Sequence, residues 1–399
     1  MTLPRTPAFA LQGRLGHEGG GVWRLAARQA SIGGSLLAGN FLYDPRRQPA
    51  MLSGRLSGAR LLLSDLGPAV GTPGEGAASA QAPAGERVLP QREFDFRALR
   101  SMDADVDVAV DMLDLGSEAL APLRELRTRI VLEGGVLQLR PLSARVVDGR
   151  LTGFTQLDGR ERPARWSARL ELADMDLAGW IRSVRKPPAR AASESPAALQ
   201  QRRDEARHTP AAAAQAYLTG LLNATFDVTG TGGSTAQILG SLEGRAEAHL
   251  REGSISHLVT ELAGADLAQT LGVVVRGDRP LPLRCARVRA QVHEGVLVTS
   301  SAVLDSRDST LRASGRVSLR EETLAMRVTA RPKDFSPLAL RVPVLVAGPW
   351  RNPEFGIEGR GLARRSAAAV ALGALVAPAA ALLPLIERGR AEVTDPCAP

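Results

Sequence analysis

At 399 residues, with 44% hydrophobic and 23% charged residues, the chain has the composition of a folded protein, either of two or three ordinary domains or of one elongated architecture. Aromatics at 4%, two of them tyrosine, are too few for reading nucleic-acid bases by stacking or for the aromatic girdles of an outer-membrane barrel. The net charge of +8 is carried almost wholly by arginines scattered along the length without a block of five or six, which describes a solvated sheet face first, attraction to phospholipid headgroups second and nucleic acid a distant third.

Met1 to Leu11 lacks the charged-then-apolar order of a secretion signal, and no anchor segment is evident there. Phe9, Leu11, Gly13 and Leu15 already alternate as a strand does, so the chain reads as starting inside a fold or as not exported by the general route. Residues 1–70 read as N-terminal β hairpins, and 71–87, rich in Gly, Ala, Pro and Ser, as a flexible loop.

A second β region is expected over 88–186. Asp103, Asp105, Asp107 and Asp111 invite comparison with a calcium loop, but Val108 stands where the sharp turn needs Gly and Asp114 replaces the final Glu. Their alternation with Ala104, Val106 and Val108 describes a strand with an acidic outer edge instead. From Arg165 to Leu172, Trp166, Ala168, Leu170 and Leu172 fall on one face and Arg165, Ser167, Arg169 and Glu171 on the other. Residues 187–216, with a Pro-Pro start and an Ala run, read as a low-complexity insertion.

A third β region is expected over 217–362. Leu311, Ala313, Val317 and Leu319 oppose Arg312, Ser314, Arg316, Ser318 and Arg320; after a charged turn, Leu324, Met326 and Val328 oppose Arg327, Thr329 and Arg331. One-sided strands of this kind belong to antiparallel sheets with one dry and one wet face. Acidic-Gly pairs at Glu133-Gly134-Gly135, Asp148-Gly149, Asp158-Gly159, Glu252-Gly253 and Glu294-Gly295 supply the positive φ that hairpin turns need. Short helices are expected near Ser117–Arg127, Ser234–Leu239 (Ser234 as N-cap) and Ala265–Leu271. Residues 363–399 read as an apolar helical segment and tail. Within it Ala367 to Ile386 is uncharged and long enough to span a bilayer, but its alanines and Pro378 and Pro384 favour a buried or capping helix pair over membrane-surface contact, and that over a span.

The sequence also echoes itself. Gly39, Asp44, Pro49, Ala50, Arg55 and Leu56 recur as Gly153, Asp158, Pro163, Ala164, Arg169 and Leu170 at a constant offset, as stacked hairpin units would.

Chemistry finds little purchase. The five histidines (His17, His208, His249, His257, His293) are far apart, and no metal-ligand spacing, cofactor motif or catalytic residue emerges. Gly230, Gly232 and Gly233 resemble a phosphate loop only superficially, since no Lys-Ser or Lys-Thr follows. No nucleophile elbow or carboxylate dyad is present, so an enzyme is not expected. Cys285 and Cys397 either close one long loop as a disulfide in an oxidising compartment or are two unconnected thiols.

Four stretches taken together resemble the C-terminal region of the bacterial AsmA family. They are Val88-Leu89-Pro90 followed by Phe94-Asp95-Phe96 and Asp103-Ala104-Asp105-Val106; Leu132-Glu133-Gly134-Gly135-Val136-Leu137 through Gly149-Arg150-Leu151-Thr152-Gly153; Gly230 to Gly244; and Gly348-Pro349 with Asn352-Pro353-Glu354-Phe355. The resemblance covers roughly residues 10–360. It implies a mainly β fold: an elongated, curved antiparallel sheet, groove- or taco-like, of repeated hairpins with a few short helices and the C-terminal apolar helical segment. It further implies a periplasmic, inner-membrane-associated protein of envelope lipid homeostasis, similar to bridge-like lipid-transfer proteins. The expected partners are phospholipid acyl chains and the inner-membrane surface or envelope proteins, with no nucleic acid and no cofactor. On this reading the lipid-lining residues are Trp166, Leu170, Leu172, Leu311, Val317, Leu319, Met326 and Val328. The rival expectation is a structural or assembly factor of the envelope with a closed β-sandwich core and no bound lipid.

Overall fold

A computed structural model describes residues 8–66, 89–115, 121–184, 218–256, 280–333, 343–350 and 353–357, apart from 90, 92, 95 and 97. The three expected β regions supply the strands. The first gives β1 (Phe9–His17), β2 (Trp23–Ile32), β3 (Ser35–Asp44) and β4 (Ala50–Leu62). The second gives β5 (Met102–Asp114), β6 (Leu123–Glu133), β7 (Val136–Val146), β8 (Gly149–Asp158) and β9 (Arg165–Asp176). The third gives β10 (Leu218–Thr231), β11 (Glu243–Ser256), β12 (Pro280–His293), β13 (Val296–Ser306), β14 (Ser309–Ser318), β15 (Thr323–Pro332), β16 (Val344–Pro349) and β17 (Glu354–Ile357). Among the described residues two α-helices accompany them, α1 (Leu177–Val184) and α2 (Thr235–Leu239).

All 17 strands form one sheet. Each strand pairs with its neighbours in sequence, and every pairing is antiparallel except the parallel one between β4 and β5. A parallel pair cannot be joined by a tight turn, because the chain must travel back along the full strand length. The described residues just before β5, among them Leu89, Phe94 and Phe96, form a strap at the end of the sheet where β5 begins.

The pairing registers carry one dry face from strand to strand, because directly opposed residues share a face. One row runs Leu157 to Trp166, Trp166 to Gly230, and Val228 through Gly244 and Val292 to Leu297 and Val317. On β5, Ala104, Val106, Val108 and Val110 are buried while the aspartates face outward. The expected acidic-edged strand is thus present, with Asp105 forked by Arg129 at 2.6 and 2.7 Å.

The sheet curls. Ile255 of β11 shares one buried cluster with Leu311 of β14 and Ala330 of β15. In a flat sheet with strands about 4.8 Å apart, Ile255 would lie about 14 Å or more from either. Glycines on the dry face admit the bend. Gly153, at φ +143°, has the Arg169 carbonyl oxygen 2.1 Å from where a Cβ would stand, and Gly244 and Gly315 repeat this arrangement three strands further on each time.

The echoed segments are equivalent hairpins. Asp44 accepts from the backbone N–H and guanidinium of Arg46, and Asp158 does the same for Arg160, at 2.6 to 3.0 Å throughout. Gly39 faces Leu56 across one pair and Gly153 faces Leu170 across the other.

Several local expectations need correction, among them the positive φ expected at Asp158-Gly159, which neither residue adopts. Leu123 to Arg127, expected in a helix, belong to β6, where alternating burial of Leu126, Thr128 and Leu132 against β5 and β7 outweighs helical propensity. Glu252-Gly253 is not a hairpin turn but an irregularity inside β11: Glu252 adopts φ +51°, and Gly253 leaves no room for a Cβ beside the Thr219 carbonyl. At Asp148-Gly149 the positive φ falls on Val147, while Gly149 is needed for close approach to Met175. The C-terminal apolar run, Ala265–Leu271 and segments 71–87 and 187–216 lie outside the described residues. No helix among the described residues is long and apolar enough to cross a membrane.

Candidate functional site

The dry face is the feature that the fold builds most consistently. Its two ends differ. At one end the strand turns are tied to each other by backbone hydrogen bonds: Gly159 N–H to Gly135, Gly232 N–H to Ala164, Gly295 N–H to Leu242, Leu319 N–H to Gly295 and Trp350 N–H to Glu322, at 2.8 to 3.0 Å. α2 is set into this rim. Ser234 caps it as expected, accepting from the Gln237 N–H at 3.2 Å, and the Arg320 guanidinium donates to the Gly240 carbonyl at 2.9 Å. Gly295 packs so closely on Gly240 that a Cβ would meet its backbone at 2.5 Å.

The strap crosses the same end. The Leu89 N–H donates to the buried carboxylate of Glu322 at 3.2 Å, and the Phe94 N–H donates to the Gly233 carbonyl at 2.7 Å. Phe94 stacks edge-on with Phe96, ring centroids 6.1 Å apart. Together Phe94, Ile238 and Leu239 roof a cavity of about 270 Å³ whose floor is Leu137, Leu157 and Trp166 of the sheet. At the opposite end, Leu177 of α1 borders a second apolar cavity of about 280 Å³ over Leu222, Leu250, Leu304 and Leu311.

Between and beside the cavities the dry face stays accessible. Phe226 and Val288 are 37% and 40% exposed although both point to the apolar side. On the outermost strand β1, Phe9, Leu11 and Leu15 are exposed at 71%, 49% and 65%. Buried apolar clusters occur where the sheet packs on itself or on its ends, around Val110, Val292, Leu311 and Ala144.

The outer face is stapled by charge. Asp227 lies between Arg169 and Arg245, directly opposed to both, at 3.2 Å from each, and Glu247 pairs with Arg287 and Arg289. The groups with displaced pKa values sit on this face or in the turns. The Arg46 guanidinium, the Arg46 N–H and Arg47 nearby hold Asp44 down to about 2. Hydrogen bonding from Arg129 and Arg160 lowers Asp105 and Asp158. The Glu294 N–H, then His293, lower Glu243, and Glu243 in turn raises His293. Among the described residues no cluster of three His, Cys, Asp or Glu could hold a metal ion.

Trp166, Leu170 and Leu172 lie in the dry rows of β9; Leu311, Val317, Met326 and Val328 lie in those of β14 and β15. Leu319 lies just past β14 and packs with Trp166, Leu170, Leu239 and Leu297 around Leu242 and Val292. Cys285, on β12, is disulfide-bonded, and Cys397 lies outside the described residues. Sequence reasoning missed α1 and the strap. For α1 a signal existed: Asp176 accepts from the Ala178 N–H at 3.1 Å as a cap, and Leu177, Trp180, Ile181 and Val184 follow at helical spacing. For the strap there was none, because its placement depends on partners more than a hundred residues away.

Comparison with known proteins gives two findings. The AsmA family pattern matches residues 25–190. The AsmA family protein YhjG of Escherichia coli (strain K12) is 27% identical over 411 residues, covering 99% of this chain and 55% of the relative. The chain thus spans about half the length of that relative. No solved structure matches.

Proposed function

We propose that this chain, which carries an AsmA family domain over residues 25–190, is an envelope module that binds phospholipid acyl chains along its dry face and supports lipid transport and outer-membrane homeostasis. The observation that carries the reading is the dry face, traced in register from β8 to β14, whose apolar side stays partly open to solvent at Phe226 and Val288, with Phe9 and Leu15 exposed on β1. A soluble protein rarely leaves so extended an apolar surface accessible without a ligand or partner for it. Energetics favour lipid as that ligand. Moving a phospholipid of about thirty methylenes through water costs on the order of 25 kcal/mol at about 0.8 kcal/mol each. A continuous apolar trough removes most of that cost, so exchange with a bilayer is nearly balanced and no catalytic group is needed.

The assigned lining is Trp166, Leu170, Leu172, Leu311, Val317, Leu319, Met326 and Val328. The assigned compartment is the periplasm, at the inner membrane, with envelope proteins as further partners. The test is native mass spectrometry with lipid extraction on the chain expressed behind a signal peptide and purified in mild detergent. Phospholipid should co-purify and be lost in the Leu319→Asp, Met326→Asp double variant, with the circular dichroism spectrum retained. A folded, lipid-free protein overturns the reading and leaves an envelope assembly factor as the better account.

A further inference from the structure

The two apolar cavities are not alike. The one beside α1 is bordered by Leu177 and the sheet, whereas the other is bordered by the sheet, by α2 and by Phe94 of the strap. Its α2 wall is fixed, held by the Arg320 to Gly240 bond and by the Gly295–Gly240 contact. Its strap wall is held by the backbone bonds at Leu89 and Phe94 and by the bridge of Glu93 to Ser234, and Phe94 is itself 38% exposed. At about 270 Å³ the space falls below the roughly 300–1,000 Å³ of pockets that enclose a whole drug-sized ligand. It fits one end of an elongated apolar molecule, and its sheet and α2 lining is apolar, Leu139 included, apart from the hydroxyls of Thr155 and Thr235, with no charged group that could receive a headgroup. Away from the roof, Trp166 continues along β9 into Ala168 and Leu170, so a chain entering the cavity has an apolar track behind it.

We propose that this cavity is a blind end pocket for the methyl terminus of an acyl chain lying along the sheet, and that the Phe94 strap sets the chain length the protein prefers. The proposal rests on the acyl-chain reading above. It assigns a different job to each wall: α2 stops the chain, and Phe94 decides how far it advances before stopping.

The test is competition of saturated fatty acids of increasing length against a fluorescent fatty acid on the full chain. Phe94→Ala enlarges the pocket and should move the preferred length upward, with about a fourfold gain in relative affinity for each further methylene buried, from about 0.8 kcal/mol per methylene. Leu139→Trp, which fills the pocket from the half-buried sheet floor, should move the preferred length downward. Either shift supports the end pocket, and because the two substitutions act on different walls, one misfolded variant leaves the other to decide. An unchanged length preference in the folded variants, with tight binding retained, overturns the pocket assignment but leaves the groove standing. Failure of the unaltered chain to bind any length overturns the groove reading, and the end pocket with it.

Discussion

Phe226→Asp separates an open trough from a closed core. Phe226 points to the dry face, opposite Leu170 and Ala246, and is 37% exposed. An aromatic side chain carries about 150–250 Å², so about 130 Å² is buried here, worth about 3 kcal/mol at about 25 cal/mol/Å². The new carboxylate can still reach water, so little is added for desolvation. Val110→Asp is the reference: Val110 is 2% exposed among Leu37, Leu61, Val106 and Val108, and a carboxylate there has no solvent and no partner. Against a typical total of about 5–15 kcal/mol, Phe226→Asp should fold with a lowered urea midpoint, whereas Val110→Asp should be largely unfolded. Titration with a fluorescent fatty acid should then show at least a tenfold weaker affinity for Phe226→Asp, since the charge sits in the path of the chain. If Phe226→Asp proves as damaging to the fold as Val110→Asp, or if it folds and binds the probe unchanged, the open-trough reasoning is wrong.

Two further outcomes follow from the geometry. Gly153→Ala should destabilise the chain by about 3 kcal/mol or more in urea, because φ +143° is costly for any side chain and its Cβ would stand 2.1 Å from the Arg169 carbonyl; a neutral result would mean the sheet does not bend there. Asp44 should titrate near 2 by carbonyl-carbon NMR, and Arg46→Ala should return it toward 3.8. Because the folded-state value is the lower one, the stabilisation from this fork is present above 3.8 and is lost as pH falls through about 2; an ordinary titration in the unaltered chain contradicts the fork.

How much of this was legible in the sequence depends on the range of the interaction. The alternation of Trp166, Ala168, Leu170 and Leu172 with Arg165, Arg169 and Glu171 is a local pattern, and a strand converts it into two faces whatever its neighbours do. The two like hairpins were legible from the echo of Gly39 to Leu56 in Gly153 to Leu170, whereas neither Asp158 nor Gly159 takes the positive φ expected of that turn. Leu123 to Arg127 misled because a short segment with leucines and arginines has good helical propensity, and only the buried edges of β5 and β7 on either side make it a strand. Glu252-Gly253 misled because an acidic-Gly pair supplies the same backbone angle to a turn and to a bulge.

The sequence by itself determined that this protein is a succession of one-sided strands, since burial of alternate residues needs only period-two patterning. The tertiary structure alone decided that those strands make one curled sheet rather than two sheets closed on each other. It also decided that Leu89 and Phe94 lie at the rim, bonded to Glu322 and Gly233 more than a hundred residues on. Two closed sheets and one curled sheet present the same alternation to the chain. They differ in which dry residues end up facing each other across the interior, and that contact is invisible to any local pattern.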